Sequence, residues 1–337
     1  MKTKIFFVFE RNPAMRLGYI HLLFHRRGIF QGDGSSFKTP LCPSDDINWD
    51  LPLFSRFNDY LPSILMRFIM FPSILASNCP GNYLLMATTA YHDIRDSIVI
   101  VHKTVAWSAE ALYQLKNNGN ILLYDILDYE DPELECKLEV LDGLILCSHR
   151  AMDEYRATPW VNKPVHFIAH CTNPRIKERK GHLPHFSPLQ NGAPENVLLY
   201  PSLLNTLPSV FCYTDCTPME IWLQATQNAN FFYAVRPPVS RMRAKPFTKG
   251  FTASKLNANI LIHKDDGDAL FYLGEDYPYL IKEEISEEVV LRYMRKAQND
   301  FDGPEWHRGL EIMASFRDAF SDATLSRQFF EMIAHYA

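Results

Sequence analysis

The chain has 337 residues, 47% of them hydrophobic and 22% charged, with a net charge of -5 at pH 7. That length holds two domains of ordinary size, each able to bury a core, and that composition excludes a disordered chain. The acidic balance excludes general affinity for nucleic acid, so any basic cluster is a local feature.

Residues 1–12 (MKTKIFFVFERN) carry an apolar run too short for a signal peptide, broken at once by Glu10. No run reaches the roughly 18 apolar residues that a membrane span needs. The expectation is a cytoplasmic protein, with peripheral contact at the inner face of the membrane left open. Residues 4–9 (KIFFVF) read as a buried first strand, and an Asn12-Pro13 loop leads to an apolar helical run over 19–24. A loop in that position faces the ligand crevice of a doubly wound sheet. Arg11 and Arg16 are then either cleft residues or ordinary surface arginines. No G-x-G-x-x-G follows the strand, so a dinucleotide fingerprint is absent.

Residues 28–60 form an irregular insertion rich in Gly, Pro, Ser and Asp. Residues 61–76 (LPSILMRFIMFPSILA) are densely apolar with one charge, Arg67. They suit a buried helix, and equally an interfacial segment that touches lipid. Strands are predicted over 83–87 and 98–102, a helix over 107–117 ended by Asn118-Gly119, and a strand over 121–125 (ILLYD). An acidic stretch follows at 128–135. Residues 141–148 give another strand, Ser148 is placed to cap a helix over 149–156, and 165–169 give the last strand of this half. Such alternation argues for a mostly parallel sheet.

Residues 177–195 lack periodicity and read as a linker. A helix is predicted over 218–227, then a strand over 231–235 (FFYAV). Apolar spacing predicts helices over 287–298, 305–320 and 325–335. The seven cysteines at 42, 79, 136, 147, 171, 212 and 216 form no paired framework. Cys212 and Cys216 are the one close pair, with no second pair or His spacing to complete a zinc site, so buried free thiols are expected.

The stretch 236–280 carries the densest chemical signal. Behind the 231–235 strand stand Arg236, Arg241, Arg243, Lys245 and Lys249 with no acid among them. A helix is predicted from about residue 247, then a strand over 259–263 (NILIH) and a turn at Asp265-Asp266-Gly267-Asp268. A strand, a cationic loop and a helix N-terminus together make an anion site suited to a diphosphate. The same charges also suit a solvent-facing loop. Asp266 and Asp268 are spaced as a carboxylate pair for Mg²⁺ or Mn²⁺, or as a turn that caps the next helix.

Residues 245–262 (KPFTKGFTASKLNANILI) resemble the donor-binding segment of GT-B glycosyltransferases. Against that pattern Lys245 falls on the first of the family's two glutamates and Ala253 on the second, so the Glu-x7-Glu pair is missing. Three further pieces are similar in hydrophobic spacing and stand in the right order. Residues 96–103 look like the strand ending in a cleft histidine, 141–155 like a late strand–helix pair, and 164–176 like the exit to the linker. Residues 196–202 resemble the first strand and loop of the second domain.

The resemblance implies an α/β chain of two Rossmann-like domains facing a central cleft: an acceptor-side domain over 1–170, a linker over 171–195, and a donor-binding domain over 196–337 whose last helix packs back on the first. It implies a metal-independent glycosyltransferase, without a cofactor, that moves a sugar from a nucleotide-sugar donor to a polysaccharide or glycolipid acceptor. The donor-binding candidates are Arg236, Lys245, Thr248, Lys249, Ser254, Asp266 and Gly267. A general base is sought at the strand ends of the first domain, where His102, Asp125, Asp128 and His170 stand. Two other readings remain open: a metal-dependent transferase using Asp266 and Asp268, and a non-catalytic relative that keeps the fold as a binding or scaffold subunit.

Overall fold

The computed structural model describes residues 2–8, 38–41, 65–88, 91–102, 107–127, 133–204, 206–211, 218–238 and 245–337. The helix over 19–24, most of the 28–60 insertion, Arg11, Arg16, Cys42, Asp128, Cys212, Cys216, Arg241 and Arg243 lie outside these residues. The chain divides into two compact units. One comprises the described residues up to Cys171 together with Asp322–Ala337, and the other is Thr172–Ser321.

The first unit is a sheet in the order β2-β3-β1-β4-β5-β6-β7. Its strands are β1 Thr3–Val8, β2 Lys38–Pro40, β3 Tyr83–Thr88, β4 Ile98–His102, β5 Ile121–Leu127, β6 Gly143–Leu146 and β7 Val165–Phe167. All pair in parallel except β2, which runs antiparallel to β3 at one edge. Strands covered on both faces read as continuous apolar runs. Accordingly Ile5 to Val8 and all of β4 are buried. The chain goes from β1 to β3 on one side and then to β4 on the other. This reversal opens a crevice at the carboxyl ends of β1 and β4.

Side chains pack this sheet from the helix Asp322–Ala334, which belongs to the first unit. Phe329 stacks on Phe7 with ring centroids 5.7 Å apart and meets the Phe71 edge at 5.7 Å, while Phe330 stacks on Tyr83 at 5.3 Å. Gln328 Oε1 accepts a hydrogen bond from the Ala169 amide at 3.3 Å. Phe71 belongs to the apolar run read as either core or interface. Its described part forms a π-helical turn, Leu65–Met70, continuous with the helix Phe71–Ser77. Arg67, Met70, Phe71, Ile74 and Leu75 are all buried, so these side chains are core and not a lipid-facing strip. Among the described residues, no helix is long and apolar enough to cross a membrane.

The second unit has the sheet order β12-β11-β10-β8-β9, all parallel. Its strands are β8 Pro188–Gly192, β9 Ser209–Phe211, β10 Phe231–Tyr233, β11 Asn259–His263 and β12 Leu280–Ile281. The order reverses between β8 and β10, which sets a second switch point there. An aromatic cluster anchors one face: Trp306 stacks on Phe231 at 6.0 Å, and the Tyr279 ring meets Phe231 edge-on at 5.4 Å.

Two expectations are corrected here. The first strand of this unit is β8, inside the stretch read as linker. Pro, Gln, Asn and Gly are weak strand formers, and β8 owes its conformation to pairing with β10 and β9 on its two sides. The apolar stretch 196–202 is not a strand. Pro194 and Pro201 open 3-10 turns at Pro194–Asn196 and Pro201–Leu203. The segment between them covers β10: the Leu198 amide donates to the Val235 carbonyl at 2.9 Å, and the Tyr233 hydroxyl donates to the Leu198 carbonyl at 2.5 Å.

Candidate functional site

In the second unit the cationic residues gather at the carboxyl ends of β8, β10 and β11. Beyond β10, Ala234 and Val235 stay buried, and Arg236 is the first long polar side chain to leave the sheet. Its Nη1 donates to Asp266 Oδ1 at 2.9 Å, with the two side chains only 11% and 7% exposed. Asp266 lies in the turn after β11, where its amide donates to the His263 carbonyl and its carbonyl accepts from the Ala269 amide, both at 3.0 Å. Gly267 completes the turn at φ +50°, and a Cβ there would collide with the Lys245 carbonyl oxygen. Only glycine meets both demands without strain. The turn therefore places the Lys245 backbone directly against the Asp266 loop.

Lys249 stands in the first turn of the helix Thr248–Lys255. Its side chain reaches across to the end of β8. A Cβ added to Gly192, at φ +124°, would sit 3.5 Å from Lys249 Cε and 3.7 Å from its Nζ. The helix N-terminus and the ammonium thus share the switch point with Arg236. Burial pushes the Asp266 carboxyl above its ordinary pKa, against the pull of Arg236, Lys249, His263 and Lys245. A single ion pair in water would lower it; here desolvation dominates. Three full cations around one carboxylate leave the locality positive, a setting for a diphosphate.

The other donor-side candidates divide. Thr248 opens the helix at this place. Ser254 does not belong to the site: it is fully buried in the last turn, where its hydroxyl donates to the Met313 carbonyl at 2.5 Å. Asp268 precedes the helix Ala269–Leu273 without making a side-chain cap. A divalent cation on Asp266 and Asp268 would meet Arg236, Lys245 and Lys249, and like charges oppose it. Among the described residues, no group of three or more His, Cys, Asp or Glu is arranged to hold a metal ion.

Gln190, which the sequence did not bring to notice, lies on β8 two residues before Gly192. It is fully buried, in register with Tyr233 on one side and Ser209 on the other. Its neighbour Asn191 faces the opposite way and donates to Thr226 Oγ1 at 3.0 Å. Among the described residues, neither polar atom of the Gln190 amide has a hydrogen-bond partner, and the same holds for Arg236 Nε and Asp266 Oδ2.

The base candidates of the first unit have different surroundings. Asp125 is held on both oxygens by Arg67, through Nε to Oδ2 at 2.9 Å and Nη2 to Oδ1 at 3.4 Å. Arg67 Nη1 also donates to the Ala169 carbonyl at 3.3 Å, and its guanidinium lies 4.8 Å over the Phe71 ring. A carboxylate engaged in this way serves the core. His170 is buried, with Nδ1 donating to the Cys171 carbonyl at 3.3 Å. His102 ends β4 beside the first switch point, fully buried and in register with Asp125.

No family model and no curated protein matches the sequence. Solved structures do. Sucrose-phosphate synthase from Thermosynechococcus elongatus superposes with a TM-score of 0.56 at 11% identity, over 99% of this chain and 99% of that one. Anabaena HepE in complex with UDP-glucose gives 0.52 at 9% identity, over 98% of this chain and 99% of that one. The pneumococcal O-GlcNAc transferase GtfA, solved with UDP and GlcNAc, gives 0.52 at 8% identity over 72% of this chain; the match spans 57% of GtfA. With two parallel sheets, a switch point in each and these likenesses over nearly the whole chain, the protein has the GT-B glycosyltransferase fold.

Proposed function

We propose that the protein is a glycosyltransferase that takes a sugar from a nucleotide-activated donor, bound in the second unit, and passes it to a glycan or glycolipid acceptor bound by the first. The observation that carries this is the gathering of Arg236, Lys245 and Lys249 at the β8/β10 switch point and the start of one helix. Breaking a glycosidic bond to a diphosphate develops charge on the leaving oxygen. Fixed cations in a partly desolvated site stabilise that charge most in the transition state. Lys245 and Lys249 face the leaving group in this reading, Thr248 adds a hydroxyl, and no metal takes part. The structural neighbours agree with this reading: HepE was solved in complex with UDP-glucose, and GtfA is an O-GlcNAc transferase.

On the acceptor side the base candidate is His102. Asp125 is committed to Arg67 and His170 donates to a backbone carbonyl, whereas His102 occupies the strand end at the first switch point. The Arg236–Asp266 ion pair favours a second reading, a subunit that binds without turnover, because it engages one of the three cations internally.

One experiment separates them. The melting temperature is followed with UDP, GDP, ADP and their sugar conjugates, and release of free nucleotide is measured in EDTA. Ligand-dependent stabilisation with release supports the transferase. Stabilisation without release on any acceptor supports the binding subunit. No stabilisation by any of these compounds rejects the donor site.

A further inference from the structure

We propose that Asp266, with Gln190, reads hydroxyl groups on the ligand, so that the site selects a phosphorylated polyol over a bare phosphate or diphosphate. This rests on the donor site proposed above. Its starting point is the set of polar atoms left over after the protein's own pairing. Arg236 spends Nη1 on Asp266 Oδ1, and this fixes the carboxylate. Among the described residues, Arg236 Nε, Asp266 Oδ2, Gln190 Oε1 and Gln190 Nε2 have no hydrogen-bond partner, although their side chains are almost wholly buried. Buried polar atoms without partners cost stability, and native proteins keep few of them.

These atoms are not all of one kind. Arg236 Nε and Gln190 Nε2 donate; Asp266 Oδ2 and Gln190 Oε1 accept. The diphosphate diester of a sugar nucleotide has only acceptors to offer at neutral pH and satisfies only the first two. The two acceptors need a donor on the ligand, and the O–H groups of a ribose or hexose supply it.

Placement supports this division. Gln190 and Gly192 alternate to the same face of β8, and the missing side chain at Gly192 leaves room beneath Lys249. Asp266 stands at the end of β11, two strands away, on a turn fixed by its backbone bonds to His263 and Ala269. The acceptors therefore come from the two outer strands of the site, and Arg236 comes from β10 between them. A ligand that carries hydroxyls beside its phosphate matches this better than a compact anion does. The carboxylate also repels a second phosphate charge, which a hydroxyl does not add.

Calorimetry tests the proposal on the full chain with inorganic pyrophosphate, UDP, GDP, ADP and UDP-glucose, comparing wild type with Asp266→Asn and Gln190→Met. The best nucleoside diphosphate should bind wild type more tightly than pyrophosphate. Asp266→Asn should cut that nucleotide's affinity about ten- to a hundredfold, the size of one charged hydrogen bond, and leave pyrophosphate binding equal or stronger. Loss at the level of the nucleotide assigns the hydroxyl to ribose; loss confined to the increment from UDP to UDP-glucose assigns it to the sugar. If Asp266→Asn strengthens or weakens every ligand alike, Asp266 is only an internal counter-ion and the proposal fails. If wild type binds pyrophosphate as well as any nucleotide, the anion site stands and the hydroxyl reading falls. If none binds wild type, the donor site itself is wrong. Gln190→Met gives the same affinity ratio should the Asp266 variant not fold.

Discussion

The described residues contain two buried Arg–Asp pairs, one in each unit, and they are built differently. Arg67 and Asp125 satisfy each other on two atoms apiece, with the remaining guanidinium nitrogen on the Ala169 carbonyl and the Phe71 ring beneath. Arg236 and Asp266 share one hydrogen bond and leave Nε and Oδ2 without a partner among the described residues, with Lys245 and Lys249 close by. The first arrangement is closed and leaves no polar atom for a ligand. The second is half open. A buried ion pair therefore says little about function until its remaining atoms are counted, and that count separates core from site here.

The comparison breaks most sharply at Asp125. Asp125→Ala leaves the Arg67 charge buried without its counter-ion and should cost about 3–5 kcal/mol in urea unfolding. The double replacement Arg67→Met with Asp125→Leu should recover most of it, since apolar pairs of similar volume often match a buried ion pair. If Asp125→Ala kept full stability and lost only turnover, Asp125 would be the base after all. On the open side, Lys245→Ala should lower the transfer rate about a hundred- to a thousandfold, the effect of losing about 2.7–4 kcal/mol of transition-state stabilisation, with the melting temperature little changed. Full activity in that variant would remove Lys245 from the site.

Two smaller effects sharpen the contrast. Gly267→Ala forces a Cβ into the Lys245 carbonyl at a positive φ, and should cost about 1–3 kcal/mol in urea unfolding. Nucleotide affinity should fall with it, because the turn holds Asp266 against Arg236. The smallest effect is a pH slope. Burial raises the Asp266 pKa above its ordinary value. The native chain then keeps this proton to a higher pH than the unfolded chain. Stability conferred relative to Asp266→Asn should fall as pH rises from the ordinary carboxylate range to the raised value, and level off above it. Urea midpoints for both proteins across that interval measure the difference; a slope of the opposite sign would show that the cations outweigh desolvation.

Much of this architecture is legible in the sequence, and the exceptions have physical causes. The predicted strand over 98–102 coincides with β4, and that over 259–263 with β11, because strands covered on both faces need unbroken apolar runs. β8 is hidden because Pro, Gln, Asn and Gly are weak strand formers, and its pairing with β10 and β9 is not local in sequence. The pairing of Arg67 with Asp125 links residues 58 apart, a relation that local pattern does not encode. Of the donor-side candidates, Arg236, Lys245, Lys249, Asp266 and Gly267 come together because loop and turn chemistry is local in sequence. Ser254 was misplaced since its partner, Met313, lies on a distant helix. Gln190 carried no signal: a lone glutamine inside a strand looks like any other polar residue until its burial is known.

One feature of the chain path bears on how the protein is made. The helix Asp322–Ala334 completes the first unit, yet the whole of Thr172–Ser321 separates it from the strands it covers. Translation proceeds at about 5–20 residues per second, so the Phe7 and Phe71 surfaces wait on the order of ten seconds for Phe329 to emerge. Throughout that interval the nascent sheet lacks the aromatic contacts that Phe329 and Phe330 bring. The long stretch Thr172–Ser321 of the second unit can fold in the same time. A growing chain thus finishes its later-made half first, and its earlier-made half is the one exposed to chaperones and to neighbouring nascent chains on the same message.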